Sequence, residues 1–430
     1  MLSLADIKKQ SKVFAIVVDG TQDIKSKEQL SVCLRHVDGE LHVHEDFFIG
    51  LYEQGETTGH AIATTVEDVI LRVGLDASML RGQTYDGGAN MDGTFNGCQA
   101  IIRRKHPLAL HFRCAAHSVH LVAQHAAEAD PLIRDSLQWV QKLGKLYKRS
   151  TKYHRVFKEV VLESQSDHSP SASIKPLCPT RWLCRHPAVL SVVEQYEVIL
   201  QSLYEMANSG PGETAVKARG LHDQLSAGTT LLGLHIAMCV TAPLHELNKV
   251  LQARRETVSG MIQCVQTVRS SLSSKRDDGS FKALIQHVMQ KVEQLELQPI
   301  ELPRIRKPPK RYTGPAAAYQ PSTIEDYHKN AYFCVLDTAI QQIDDRWQPS
   351  AGSGLESYNK LEQMLLTGET NNVMMNAYPE LESEALSVQL RCLCSTTSLV
   401  LCTAPKKLSS SCPVIRVFYS VKWNSFFVCF

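Results

Sequence analysis

The 430-residue sequence predicts an α/β fold, with a mixed sheet built from a three-strand antiparallel meander plus parallel strands, followed by an all-α domain. Three observations carry this. Apolar runs at 13–18, 30–37 and 41–50 are joined by short polar turns, the second of them an Asp38-Gly39 hairpin signal. Two later apolar runs, ending at Asp86 and Arg113, each follow a helical stretch, so each must lie parallel to a neighbour. From about residue 185 to about 370 the pattern is helical throughout.

Taken in order, the meander leads into a helix over 58–74, where Ile62, Val66, Val69, Ile70 and Val73 recur every three or four residues and Gly74 supplies a stop. A fourth strand runs up to Asp86. The segment Asp86-Gly87-Gly88-Ala89-Asn90-Met91-Asp92-Gly93 reads as a glycine-rich turn into a helix through Ile101 and Ile102. A fifth strand follows at 109–113, then a long helix over 115–162, broken near Pro131. The Ser-rich stretch 165–173 reads as a linker. Helices are expected at 187–208, 213–226, 228–256, 257–273, 279–297, 324–347 and 355–367, with a basic, Pro-rich connector at 303–311.

These elements divide the chain into a leader at 1–12, an α/β core at 13–164, a linker at 165–184, an all-α domain at 185–370, a partial return to the core at 371–390 and an atypical tail at 391–430. The tail has no amphipathic period and reads as non-native sequence.

Composition narrows the function classes. Lys+Arg 46 against Asp+Glu 44 gives a net charge of +2, so no global basic field advertises nucleic acid. No run approaches about 18 uninterrupted apolar residues, and the N-terminus lacks the order of a signal peptide. The expectation is a soluble intracellular protein, nuclear or cytoplasmic, with no membrane partner. Its 13 cysteines lack framework spacing and read as reduced thiols.

Asp19 and Asp86 each close an apolar run. A carboxylate where a buried strand emerges can hold a divalent cation, because the strand fixes it and the sheet edge leaves it open. Singly, each also suits an ordinary turn. With strand four beside strand one, the two carboxylates are expected to meet at one edge. Cys114 and His117 have a Cys-x-x-His spacing, but a structural zinc site needs four ligands and no second pair is in sight, so zinc is not expected. Arg181-Trp182 reads either as a core cap with a solvated guanidinium or as a stacking platform with a phosphate anchor. Lys142, Lys145, Lys148, Arg149, Lys152 and Arg155 form a basic run, as do residues 304–311; such runs are commonly solvated faces, and they are the first candidates for phosphate contacts.

The ordered set of Asp19, the turn from Tyr85 to Met91, the segment Cys114-Ala115-Ala116-His117-Ser118-Val119-His120-Leu121 and then Pro179-Thr180-Arg181-Trp182 resembles the ribonuclease H-like core of hAT-superfamily DNA transposases, and is similar to the transposon-derived zinc finger MYM-type and THAP-type fusion proteins. The resemblance implies a site in which Asp19, Asp86 and a later glutamate bind Mg²⁺ or Mn²⁺ for phosphoryl transfer, with Cys114 and His117 beside it and Arg181-Trp182 holding a base. It also implies DNA as a partner and an all-α insertion before the glutamate. The family's Glu-Arg-x-Phe-Ser string is absent, and the context of Glu380, Glu382 and Glu384 does not match it. Gly20 stands where an acidic residue is common, and no zinc-finger module precedes the first strand. The expectation is a transposase-derived protein truncated at both ends and inactive as an enzyme, which binds DNA or protein; the rivals are an active metal-dependent nuclease using Asp19 and Asp86, and a protein-interaction module built on the helical domain. Oligomeric state is not readable.

Overall fold

A computed structural model describes residues 13–23, 25–37, 43–164, 174, 185–252, 258–302, 323–347, 354–367, 369, 384 and 387–388. The described residues fall into two compact units. One is drawn from Met1–Ser118, Lys249–Cys264 and Trp347–Phe430, the other from Val119–Asn248 and Val265–Arg346.

The first unit is built on a five-stranded sheet. Its strands are β1 (Phe14–Gln22), β2 (Glu28–Val37), β3 (Val43–Glu53), β4 (Leu80–Tyr85) and β5 (Leu110–Arg113), in the order β3-β2-β1-β4-β5. The β1–β2 and β2–β3 pairs are antiparallel, whereas β4 lies parallel to β1 and to β5. This is the predicted mixed sheet. The alternation that makes β1 a strand also sorts its faces: Phe14, Ile16 and Val18 enter one core with Leu30, Val32 and Leu34 of β2.

Helix α1 (Gly59–Val73) covers that face with Ile62, Val66, Val69 and Ile70. Its ends follow from the sequence. Thr58 accepts the Ala61 amide as N-cap, and Gly74 takes the left-handed conformation at φ 68° as stop. The helix expected through Ile101 and Ile102 is α3 (Cys98–Lys105), and the segment expected as a glycine-rich turn also holds a short helix, α2 (Ala89–Asp92). The break has a steric cause. Gly93 and Gly97 approach so closely that a Cβ on Gly97 would stand 2.5 Å from the Gly93 carbonyl oxygen, which only glycine permits.

The helix expected over 115–162 breaks near Pro131 as expected and once more at Ser150, giving α4 (Ala115–Glu128), α5 (Pro131–Arg149) and α6 (Thr151–Glu163). Asp130 caps α5 ahead of Pro131, and Ser150 both closes α5 and caps α6 by accepting the Tyr153 amide. Then come α7 (Arg185–Glu194), α8 (Tyr196–Asn208), α9 (Glu213–Leu225), α10 (Gly228–Leu251), α11 (Val258–Ser274), α12 (Asp278–Gln294), α13 (Ile324–Trp347) and α14 (Gly354–Thr367). The periodicity reading therefore holds for nearly every helix, with the 187–208 segment split at Gln195.

Within the second unit Tyr153 meets Ser202 at 3.1 Å and the Tyr196 hydroxyl donates to the Leu225 carbonyl at 2.7 Å, so the buried hydroxyls are satisfied. Arg269 grips Asp344 with two bonds of 2.6 and 2.7 Å. Among the described residues α10 alone is long and apolar enough to cross a membrane. Its Leu231, Leu232, Leu234, Ile236, Leu244 and Leu247 are buried in this unit, as a core helix requires.

In the first unit α14 packs on β5. The Tyr358 and Phe112 rings lie 5.8 Å apart, and Gly354 is pressed against the His111 carbonyl, where a Cβ would come within 1.8 Å.

Candidate functional site

The parallel register builds one edge of the sheet. Val17 pairs with Thr84 and Thr84 with Phe112, so two residues further along these strands come Asp19, Asp86 and Cys114 at matching positions. The Cys114 amide extends the ladder by donating to the Tyr85 carbonyl at 2.9 Å. Neighbouring strands are about 4.8 Å apart, so residues at matching positions are side-chain neighbours. The sequence predicts that Asp19 and Asp86 meet at one edge, and the register, continued two residues past Val17–Thr84, sets them at matching positions on adjacent strands. Both aspartates are half-buried, while the Cys114 thiol is buried.

Local geometry fixes the second aspartate. Asp86 Oδ1 accepts the Gly88 amide at 2.9 Å, an Asx turn that orients the carboxylate. Gly88 leaves room for it, since a Cβ there would stand 3.0 Å from that oxygen and 2.7 Å from Asn90 Oδ1. The turn touches β1 through Gly20, whose position puts an added Cβ 3.8 Å from Met91 Cε. Gly59 locks the start of α1 to the same loop, with a Cβ there only 2.1 Å from the Asn96 carbonyl oxygen.

A third carboxylate in this motif was missed. Asp92, at the end of α2, forms an ion pair with Arg113 of β5. His111 Nε2 lies 3.5 Å from Asp92, beyond hydrogen-bonding distance, and no other group partners that nitrogen. Burial, reinforced by Arg113 and Arg103, pushes the His111 pKa down to about 3, so the ring is neutral and the charge opposite Asp92 in this pairing comes from Arg113. The pairing joins residues 21 positions apart on different elements, and no local sequence signal marks it.

Other acidic side chains of this unit are engaged too. Glu362 is buried and accepts the Ser259 amide at 2.7 Å and its hydroxyl at 2.9 Å. Glu356 pairs with Lys360 at 2.7 Å, and Glu384 is exposed. Among the described residues no group of three or more His, Cys, Asp and Glu side chains could hold a metal ion. Among the described residues Asp19 and Asp86 are the carboxylates placed to hold a single hard cation completed by water, with one Asp86 oxygen already accepting Gly88.

His117 lies in the first turn of α4, half-buried, and the Cys114 carbonyl accepts both the amide and the hydroxyl of Ser118. Cys114 and His117 therefore start a helix at the sheet edge. Arg181, Trp182, Glu380, Glu382, the 304–311 run and the 391–430 tail lie outside the described residues.

Comparison with known families places the sheet. Residues 4–97 match the family described as ZMYM1/FAM200, RNase-like domain (DUF4371). Residues 4–97 carry an RNase-like domain. The match spans β1 to β4 and both aspartates, and it supports a transposase-derived origin for this domain.

Proposed function

We propose that this chain is a transposon-derived RNase-like protein that binds DNA without cleaving it. The observation that carries the reading is the composition of the sheet edge: Asp19 within β1 and Asp86 and Cys114 just past the ends of β4 and β5 stand at matching register positions, two carboxylates and a thiol. Two-ion phosphoryl transfer needs carboxylates enough to fix both ions against the attacking and leaving oxygens. Here Asp92 is neutralised by Arg113, and Glu362 is bound by Ser259. The hAT lineage belongs to the same reading, supported by the order of the sequence motifs and by the helices that separate β5 from α14.

If a Mg²⁺ or Mn²⁺ ion binds, Asp19 and Asp86 would hold it, and it would supply positive charge at the edge. The chain's own groups do the rest: the Asx turn aims Asp86, and the Gly59 and Gly88 contacts keep the loop against the sheet.

DNA binding is supported by α5 and α6. Lys142, Lys145, Lys148, Arg149, Lys152 and Arg155 are all exposed, and Lys142 Nζ sits 3.9 Å over the Trp139 ring. Arg181-Trp182 remains the candidate for holding an unstacked base. Fluorescence anisotropy with a labelled duplex tests the proposal: affinity that falls steeply with salt supports it, and affinity indifferent to salt overturns it.

A further inference from the structure

The junction of α5 and α6 carries two adjacent hydroxyls inside a basic stretch, Lys148-Arg149-Ser150-Thr151-Lys152. The structure treats them differently. Ser150 is half-buried, and its hydroxyl accepts the Tyr153 amide at 3.1 Å while its carbonyl accepts the His154 amide, so this residue is committed to starting α6. Thr151 is exposed, and among the described residues nothing hydrogen-bonds its hydroxyl. The neighbouring hydroxyls are not free in this way: Ser136 donates to the Leu132 carbonyl at 2.7 Å, and buried Tyr153 meets Ser202. Among the described residues of α5 and α6, Thr151 is therefore the exposed hydroxyl.

Four exposed cations flank it. Lys148 and Arg149 precede it by three and two positions, Lys152 follows it, and Arg155 lies one helical turn further on, where side chains share a face. Lys148 and Arg149 have no ion-pair partner among the described residues, whereas Lys152 donates to the Ser209 hydroxyl at 3.1 Å and Arg155 lies 3.6 Å from Glu159. Two unengaged cations just ahead of a free hydroxyl are the pattern that the acidic substrate cleft of a basophilic serine/threonine kinase reads. The chain also presents that pattern at a corner. Ser150 is extended, at φ −108° and ψ 103°, and a helix end opens at little cost, so the segment can enter a kinase cleft while the rest of α6 stays packed.

We propose that Thr151 is a phosphorylation site for a basophilic serine/threonine kinase and that its phosphate switches off the basic face of α5 and α6. The site stands on the local geometry, and its consequence rests on the DNA-binding reading above. The step is phosphoryl transfer from ATP. Thr151 Oγ attacks the γ-phosphorus, the Oγ–P bond forms, the bond from that phosphorus to the bridging oxygen breaks, ADP leaves, and the hydroxyl proton passes to the kinase's catalytic carboxylate.

A phosphate brings a charge of about −1.5 to −2 at pH 7 and three strong acceptor oxygens. Against Lys148, Arg149, Lys152 and Arg155 it cancels roughly half of the local positive charge and offers these side chains charge-assisted bonds within the chain, in competition with the phosphates of DNA. It also stands where a DNA phosphate would approach, and like charges repel. The same group lies on the first turn of α6, the positive end of a 13-residue helix, so the fold tolerates it. Phosphate on Ser150 would act in the opposite way, because it would remove the cap that accepts the Tyr153 amide.

The test treats the full chain with Mg²⁺, ATP and the catalytic subunit of cyclic-AMP-dependent protein kinase, which reads basic residues ahead of its target. Peptide mass spectrometry locates the added HPO₃, and anisotropy with a labelled duplex follows affinity. The expected result is phosphate on Thr151, duplex affinity lower by about ten-fold, a slope of log affinity against log salt lower by roughly 1.5, and an unchanged melting temperature. Thr151→Ala, treated identically, should keep the parent's affinity. A folded chain that stays unmodified at Thr151, or that takes its phosphate on Ser150 instead, overturns the site. Phosphate on Thr151 with duplex affinity unchanged overturns the switch and leaves DNA binding standing. An untreated chain with no salt-dependent duplex binding sinks the DNA reading and the switch together, while the mass spectrum still decides the site.

Discussion

Asp19 within β1 and Asp86 just past the end of β4 stand at one register position of neighbouring parallel strands, each two residues beyond the Val17–Thr84 pair. Their meeting is a consequence of topology, because a meander followed by helical crossovers sets β4 against β1 on the side that β2 leaves open. The rest of the edge depends on contacts that hold the loop after β4 in place, and those contacts can be perturbed one at a time.

Gly59→Ala puts a methyl group within 2.1 Å of the Asn96 carbonyl oxygen and 2.7 Å of the Asn90 carbonyl oxygen, both main-chain atoms that cannot rotate away. The expected cost is about 1–3 kcal/mol of stability, typical of overpacking. Urea denaturation measures it, and a midpoint equal to that of the parent would mean that the loop does not pack on α1.

Acid should loosen the protein through buried histidines. His111 is depressed to about 3, first by burial and then by Arg113 and Arg103; His235 is depressed to about 4, first by burial and then by His287 and Lys291. Below the unfolded pKa near 6.5 the unfolded chain binds protons that the folded chain refuses, so stability is full above that pH and is lost as pH falls toward 4 and then 3. Melting temperatures between pH 7 and 4 should decline, and His111→Gln should flatten the decline. An identical slope in the variant would contradict the assignment.

The basic face of α5 should carry phosphate contacts. Each phosphate neutralised contributes about 0.9 to the slope of log affinity against log salt, so Lys145→Gln/Lys148→Gln/Arg149→Gln should lower that slope by roughly 2–3. Anisotropy titrations of a labelled duplex at several salt concentrations measure this. An unchanged slope would move the DNA contacts elsewhere.

Glu296, which follows α12, sits in the left-handed region at φ 51°. Replacing it with glycine removes a steric penalty of about 1 kcal/mol, so Glu296→Gly should raise the stability of the helical unit by about that amount in urea denaturation. A variant less stable than the parent would show that the Glu296 side chain makes contacts that hold the turn.

Much of this architecture is legible in the sequence because its signals are local. The Ile62-Val66-Val69-Ile70-Val73 stripe and the Gly74 stop define α1 to within one residue at each end, and Asp130 with Pro131 marks the start of α5. The break at Ser150 carried a readable signal, a serine positioned to cap the Tyr153 amide, but continuous apolar periodicity through Leu146 and Val156 masked it. The split between α2 and α3 depends on a close approach of Gly93 and Gly97 that periodicity does not register. The edge chemistry was legible only in part. Asp19 and Asp86 follow from topology, whereas the neutralisation of Asp92 by Arg113 and the capture of Glu362 by Ser259 are tertiary pairings between distant residues.

The most direct measurement is a plasmid-nicking assay with Mg²⁺ or Mn²⁺, run in parallel on the parent chain and on Asp86→Ala. An edge of two carboxylates and a thiol predicts no metal-dependent nicking by either protein, with duplex binding retained by both. Metal-dependent nicking by the parent that disappears in Asp86→Ala would contradict it, and would mean that a further carboxylate completes the site.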